Sequence, residues 1–140
     1  MKKKLSCILL IEDNEFTNIF NQKLILDLGI TESINIAESA EKGLDFLCGI
    51  GKYKVNCLTP DLIFLDINMP GMNGWEFLDE YRKLNTKKTK PIKIVMLTTS
   101  PNPDDEQKAK TITEIISFKR KPLTKSVIHE IITEHFSDYK

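Results

Sequence analysis

Three carboxylates stand where they could together bind a cation and supply a nucleophile. Asp66 directly follows the apolar run 62–65, and Glu12 and Asp13 directly follow a second apolar run at 8–11. A carboxylate at the end of a buried strand has no packing role, and ligands of parallel α/β sheets bind outside the carboxyl ends of the strands. We therefore expect the three carboxylates to meet at one edge of a sheet.

Such a cluster needs a cation, because two carboxylates ~4 Å apart repel each other by roughly 4 kcal/mol at an effective dielectric of about 20. Mg²⁺ suits this role, since it binds one or two carboxylates together with waters and phosphate oxygens. Thr98, which ends another apolar run, and Lys121, which precedes Pro122, add a hydroxyl and an ammonium group. A carboxylate nucleophile, a metal, a hydroxyl and a lysine are the groups that phosphoryl transfer to an aspartate requires.

Five alternations of an apolar run with a helical pattern must position these residues. The predicted strands are 8–11, 34–37, 62–66, 92–98 and 115–118. Strands that alternate with helices form a parallel sheet with right-handed crossovers and helices on both faces. Because the first, third and fourth runs are the most apolar, we predict a doubly wound, flavodoxin-like α/β fold with strand order 2-1-3-4-5. Its switch point lies between the first and third strands, where the three carboxylates stand.

Capping residues and periodicity predict where the helices begin and end and which faces they bury. Gly29 ends the first helix, Ser39 caps the second, Asn73 and Glu76 form a capping box for the third, and Asn102 begins the fourth. The predicted buried face of the first helix is Phe16, Ile19, Phe20, Leu24, Ile25 and Leu28. The third helix is predicted to bury Trp75, Phe77, Leu78, Tyr81 and Leu84, and the fifth Val127, Ile128, Ile131, Ile132 and Phe136.

The composition predicts one soluble domain, residues 1–140, in the cytoplasm. The 20 basic and 20 acidic residues cancel, so no overall field favours nucleic acid. No apolar run approaches the ~20 residues of a membrane span, and the basic start lacks a cleavage site. The three cysteines lack paired metal-ligand spacing, and Cys7 is expected in the core of a reduced protein. Segment 49–60 is expected to be an exposed loop.

The landmarks resemble the receiver domain of two-component response regulators. The resemblance covers nearly the whole chain and rests on Glu12-Asp13, Asp66 with Met69-Pro70-Gly71 and Gly74, Leu97-Thr98 and Lys121-Pro122, in this order and spacing. It implies that Asp66 accepts a phosphoryl group from a histidine kinase or a histidine phosphotransfer protein. It also implies that Asp13, Asp66 and the Asn68 carbonyl bind Mg²⁺, with Glu12 acting through water.

The resemblance implies roles for residues on the fourth and fifth strands as well. Thr98 and Lys121 would contact the phosphoryl oxygens, and Phe118 would be an aromatic switch that turns inward when Thr98 moves. The peptide bond between Lys121 and Pro122 would be cis. Asn68 and Ser100 would flank the path of the water that hydrolyses the acyl phosphate.

A signalling switch, rather than a turnover enzyme, is the function that follows from the resemblance. The chain would catalyse only its own phosphorylation and dephosphorylation. Only residues 137–140 follow the fifth helix, so we expect output through an unknown downstream protein, or service as an intermediate in a phosphorelay. Direct binding to nucleic acid or a membrane is not expected, and a phosphorylation-dependent homodimer is left open.

Three other functions account for part of the sequence pattern. A haloacid-dehalogenase-like phosphatase also forms an aspartyl phosphate, but it needs a second Asp where this chain has Asn68. A receiver-like module that binds partners without phosphorylation tends to lose the Asp, Thr or Lys, and all three are present. A dinucleotide-binding domain is disfavoured because the first turn, 12–15, lacks glycine and repels phosphate.

Overall fold

The computed structural model describes residues 4–48, 60–83, 92–99 and 101–136. The elements in chain order are β1 (Ile8–Ile11), α1 (Glu15–Leu28), β2 (Ile34–Ala37), α2 (Ala40–Cys48), β3 (Leu62–Asp66), α3 (Gly74–Lys83), β4 (Lys93–Thr98), α4 (Pro103–Lys110), β5 (Ile115–Arg120) and α5 (Lys125–His135). Leu84, Ser100, residues 137–140 and all of the predicted loop 49–60 except Pro60 lie outside the described residues.

The strands form one parallel sheet in the order β2-β1-β3-β4-β5, which confirms the predicted doubly wound fold. Ile11 pairs with Leu65 and Asp66 pairs with Leu97, so the first, third and fourth strands end at the same level. Every residue of β1 and β3 is buried, as expected for central strands. β4 begins one residue later than predicted, and β5 continues two residues further, to Arg120.

Two apolar layers cover the two faces of the sheet. One face packs against Phe46 of α2 and Phe77 of α3. The opposite face packs against Ile25 of α1 and against Ile128 and Ile132 of α5. The predicted buried face of α5 is therefore confirmed, with Val127 at its half-buried margin. This double cover leaves the carboxyl ends of the central strands as an accessible rim.

The predicted buried face of α1 is wrong at its first turns. Phe16 is 80% exposed, Ile19 57% and Phe20 48%, whereas Asn18 and Asn21 are buried with Ile25. Asn18 can face the sheet because its side-chain amide donates to the backbone oxygen of Glu12 at 2.9 Å. A buried amide with a backbone partner is tolerated. The helix therefore turns an apolar stripe outward.

The helix caps agree with the sequence. Asn73 and Glu76 exchange the two hydrogen bonds of a capping box, each 2.9 Å long. Gly29 ends α1 in the left-handed region at φ 60°, where glycine has no steric penalty.

In α3, Phe77 and Leu78 are buried, but Trp75 and Tyr81 are only half-buried. Among the described residues, no helix is long and apolar enough to cross a membrane.

Candidate functional site

The carboxyl ends of β1 and β3 bring the three predicted carboxylates together. Each of Glu12, Asp13 and Asp66 offers a carboxylate oxygen, and these oxygens lie within 4.8 Å of one another. Glu12 and Asp66 are each 4% exposed, while Asp13 is open to solvent. The cluster thus has a buried base and an exposed rim from which a ligand can enter.

Lys121 inserts its ammonium group into this cluster from the loop after β5. Its Nζ lies 2.5 Å from Oε1 of Glu12 and 3.3 Å from Oδ1 of Asp66. The backbone N–H of Lys121 donates to the Thr98 carbonyl at 2.7 Å, which fixes the start of the loop. The next peptide bond, to Pro122, is cis, in agreement with the resemblance.

The pKa values of Glu12 and Lys121 are both raised, but for different reasons. The pKa of Glu12 is raised to about 7, because burial and the nearby charge of Asp66 together outweigh the hydrogen bonds from Lys121 and the Asn14 N–H. For Lys121, burial lowers the pKa, but the hydrogen bond to Glu12 and the charge of Asp66 outweigh it, so the pKa is raised. Lys121 therefore stays an ammonium at neutral pH.

The loop that carries Asp66 is held by short backbone contacts. The Asn68 N–H donates to Oδ1 of Asp66 at 3.3 Å, and the Gly74 N–H donates to the Ile67 carbonyl at 2.9 Å. A Cβ on Gly74 would lie 2.9 Å from the Asp66 carbonyl oxygen and 3.0 Å from the Ile67 Cα. Glycine is therefore required where α3 begins against this loop.

The donor set fits Mg²⁺. All three side chains offer carboxylate oxygens, which hard divalent cations prefer, and no soft ligand stands among them. Asp13 and Asn68 are exposed, so coordinating waters have access. Three carboxylates facing one ammonium also leave negative charge that a divalent cation would neutralise.

A cavity of about 550 Å³ opens above the cluster. Its polar wall includes Asp66, Asn68 and Lys121, and its apolar wall is formed by Phe16, Phe20, Leu97, Pro122 and Leu123. The sequence does not predict this apolar wall, because helical periodicity places Phe16 and Phe20 on the buried face of α1. The signal that could have separated the two faces of α1 was the pair Asn18 and Asn21, whose spacing matches the buried Ile25.

Neither Thr98 nor Phe118 lines this cavity. Thr98 is 2% exposed at the end of β4, and its neighbour Thr99, rather than Thr98, lines the cavity wall. Phe118, half-buried on β5, lines a second groove of about 200 Å³ between α4 and β5. Ser100, predicted beside the path of the hydrolytic water, lies outside the described residues.

Known proteins are similar to this chain in sequence and in fold. Residues 8–133 match the family model of the response regulator receiver domain. Response regulator Rcp1 of Synechocystis is 35% identical over 98 residues, which cover 70% of this chain and 65% of that protein, so the match spans just under two thirds of Rcp1.

Two solved structures illustrate the structural similarity. A two-component response regulator from Cytophaga hutchinsonii superposes with a TM-score of 0.85 at 26% identity and covers 96% of this chain and 99% of that one. The phosphorylated cyanobacterial phytochrome response regulator RcpA has a TM-score of 0.73 at 27% identity, over 92% of this chain and 89% of that one.

Proposed function

The chain belongs to the response regulator receiver domain family, and we propose that Asp66 is its phosphoacceptor in a Mg²⁺-dependent reaction. The observation that carries this proposal is the position of Asp66. Its carboxylate ends a central strand, faces the cavity and lies 3.3 Å from the Lys121 ammonium. RcpA, a relative with the same fold, has been solved in a phosphorylated form.

Phosphorylation would be a transfer from a phosphohistidine to Asp66. A carboxylate oxygen of Asp66 attacks the phosphorus atom, a P–O bond forms, and the P–N bond breaks with its electron pair leaving on the imidazole nitrogen. The product is an acyl phosphate. Lys121 is positioned to neutralise the phosphoryl oxygens, because its ammonium already contacts Asp66. The hydroxyl of Thr98 would move toward the phosphoryl group and contact its oxygens.

Asp13, Asp66 and the Asn68 carbonyl would hold Mg²⁺, with Glu12 acting through water. When bound, the ion would supply charge neutralisation at the phosphoryl oxygens. Glu12 contributes by holding the Lys121 ammonium 2.5 Å from its Oε1, so the lysine is oriented before the phosphoryl group arrives. Asn68 keeps Asp66 in place through its backbone N–H.

The donor would be a histidine kinase or a histidine phosphotransfer protein, and its docking surface would include the exposed stripe of α1. Phe16 and Phe20 belong both to that stripe and to the cavity wall, and Ile19 continues the stripe outward. A protein that brings a histidine over the cavity must cover these side chains. Large apolar side chains exposed together are typical of interaction sites.

Signal output would follow from the phosphorylated state rather than from turnover. Phosphorylation adds close to two negative charges, and Lys121, 3.3 Å from Asp66, would respond to them together with Thr98 at the end of the neighbouring strand β4. Movement of Thr98 would free space for Phe118 and change the surface that a downstream protein or a second protomer binds. The chain would thus act as a switch in a two-component system or phosphorelay.

Phosphorylation with a small-molecule donor tests the assignment directly. Incubation with acetyl phosphate and Mg²⁺ should give one acid-stable, base-labile phosphoryl group per chain. Asp66→Asn keeps the shape but removes the nucleophile, so labelling should vanish. Asp104→Asn, an exposed aspartate on α4, is the matched control and should label normally. Full labelling of Asp66→Asn would place the chemistry on another residue.

A further inference from the structure

α4 has almost no apolar face with which to bind the rest of the protein. Of its eight residues, Pro103–Lys110, only Ala109 is buried. A groove of about 200 Å³ runs between this helix and β5, so the packing of the helix on the sheet is incomplete there. A helix usually gains its stability from packing an apolar face, so another contact must hold this one.

Trp75 of α3 supplies that contact through two α4 side chains. The indole N–H donates to Oδ1 of Asp105 at 3.2 Å. The ammonium nitrogen of Lys108 lies 4.6 Å from the centroid of the indole ring, within the range of a cation–π interaction. Asp105 and Lys108 are three residues apart, so they lie on the same side of the helix. We call this set of three side chains the Trp75 clasp.

The clasp is connected to the phosphoacceptor loop through one residue. Trp75 directly follows Gly74, whose N–H donates to the Ile67 carbonyl at 2.9 Å. Gly74 also lies so close to the Asp66 carbonyl oxygen that an added Cβ would be 2.9 Å from it, so this loop and the start of α3 are packed directly against each other. Through this contact, a shift of the Asp66 backbone can be passed to the start of α3 and to the indole ring of Trp75.

We propose that the Trp75 clasp holds α4 in place and that phosphorylation of Asp66 opens it. The hold is a property of the unmodified protein, while its opening rests on the proposed function of Asp66. The two contacts of the clasp are individually weak because they are partly exposed to solvent. A small displacement of Trp75 is then enough to release α4 as a two-state element.

Amide hydrogen exchange of α4 in the unmodified protein tests the hold. Lys108→Met removes the cation and should raise exchange rates in α4 about two- to fivefold. Lys110→Met makes the same change on the same helix outside the clasp and should leave the rates unchanged. In a Trp75→Leu background, Lys108→Met should have no further effect. Equal effects of the two lysine changes, or unchanged exchange in Trp75→Leu, would overturn the clasp.

Fluorescence of Trp75 tests the opening, because this is the only tryptophan of the chain. Acetyl phosphate and Mg²⁺ should move the emission maximum to longer wavelength in proportion to the base-labile phosphoryl content, and α4 exchange should rise in parallel. Full phosphoryl incorporation without either change would overturn the coupling and leave the proposed function intact. Absence of incorporation would overturn the proposed function and the coupling together, while the exchange experiment still decides the hold.

Discussion

The ammonium nitrogen of Lys121 lies 2.5 Å from Oε1 of Glu12, although the two residues are 109 positions apart. The contact joins the loop after β5 to the end of β1 across the rim of the sheet. It also sets the charge of the site, since the same nitrogen is 3.3 Å from Asp66 and Asp13 completes the carboxylate cluster. One ammonium among three carboxylates leaves the site able to take up a divalent cation.

We predict that Mg²⁺ stabilises the folded protein. A ligand at ten times its dissociation constant adds about 1.4 kcal/mol to the free energy of unfolding, which corresponds to a rise of roughly 4 °C in Tm. Asp13→Asn should abolish most of this rise, because it removes an exposed ligand, whereas Asp104→Asn should retain it. Thermal unfolding with and without millimolar Mg²⁺ measures the effect. Equal responses of the two variants would rule out the acidic cluster as the binding site.

Gly74→Ala should impair both stability and phosphorylation. Its Cβ would lie 2.9 Å from a backbone oxygen of Asp66, so the phosphoacceptor loop itself must shift. We expect a loss of about 2 kcal/mol in urea unfolding and slower labelling by acetyl phosphate. Gly29→Ala is the control. A side chain at φ 60° destabilises the fold by about 1 kcal/mol, but the new Cβ would have no atom within 4 Å beyond the adjacent residues. The rate of labelling by acetyl phosphate should therefore be unchanged in this variant. Normal labelling of Gly74→Ala would contradict the tight coupling of α3 to the loop.

The strand pattern was predictable because buried parallel strands are continuous apolar runs, and the carboxylates that end them stand out. The outward face of α1 was not predictable in the same way. Apolar periodicity cannot distinguish a face that packs on the sheet from one that a partner covers, and Asn18 is buried only because the Glu12 carbonyl accepts from it. The ion pair between Lys121 and Glu12 and the position of Trp75 against α4 depend on elements that are distant in sequence, and no local sequence pattern encodes them.

The exposed stripe of α1 should govern phosphotransfer from a protein donor. Ile19→Glu places a charge on the stripe outside the cavity lining, and Leu26→Glu makes the same change further along the helix, where Leu26 is 63% exposed. We expect Ile19→Glu to raise KM for a histidine-bearing donor about tenfold, equivalent to 1.4 kcal/mol. Labelling by acetyl phosphate should not change in either variant. If only Leu26→Glu altered the KM for the donor, the docking surface would lie further along α1, away from the cavity.

Cys7 should remain unreactive in the folded protein. Burial raises the pKa of its thiol above the ordinary value of 9.0, against hydrogen bonds from Asn35 and Ser33. Between the unfolded and folded pKa the folded state keeps a proton that the unfolded state loses, so this group makes stability fall as pH rises above 9. Peptide mapping after iodoacetamide at pH 8 should find Cys7 modified only in urea. Cys7→Ala should lessen the loss of stability between pH 8 and 10.

Phe118 should transmit the conformational change that phosphorylation causes, without taking part in the phosphorylation reaction itself. Its ring lines the groove between α4 and β5 and does not contact the cavity above Asp66. Because the residue is half-buried, we expect Phe118→Ala to cost about 1–2 kcal/mol of stability while Asp66 labels to full stoichiometry. Phosphorylation should change the NMR chemical shifts of the amides in residues 102–136 less in this variant than in the wild type. The reason is that the substitution removes the aromatic ring that is expected to move when Thr98 moves. NMR spectra before and after acetyl phosphate, at equal phosphoryl content, make the comparison. Undiminished shifts in Phe118→Ala would show that the change reaches α4 by another route, such as the Trp75 clasp, which follows Gly74 and the loop after Asp66.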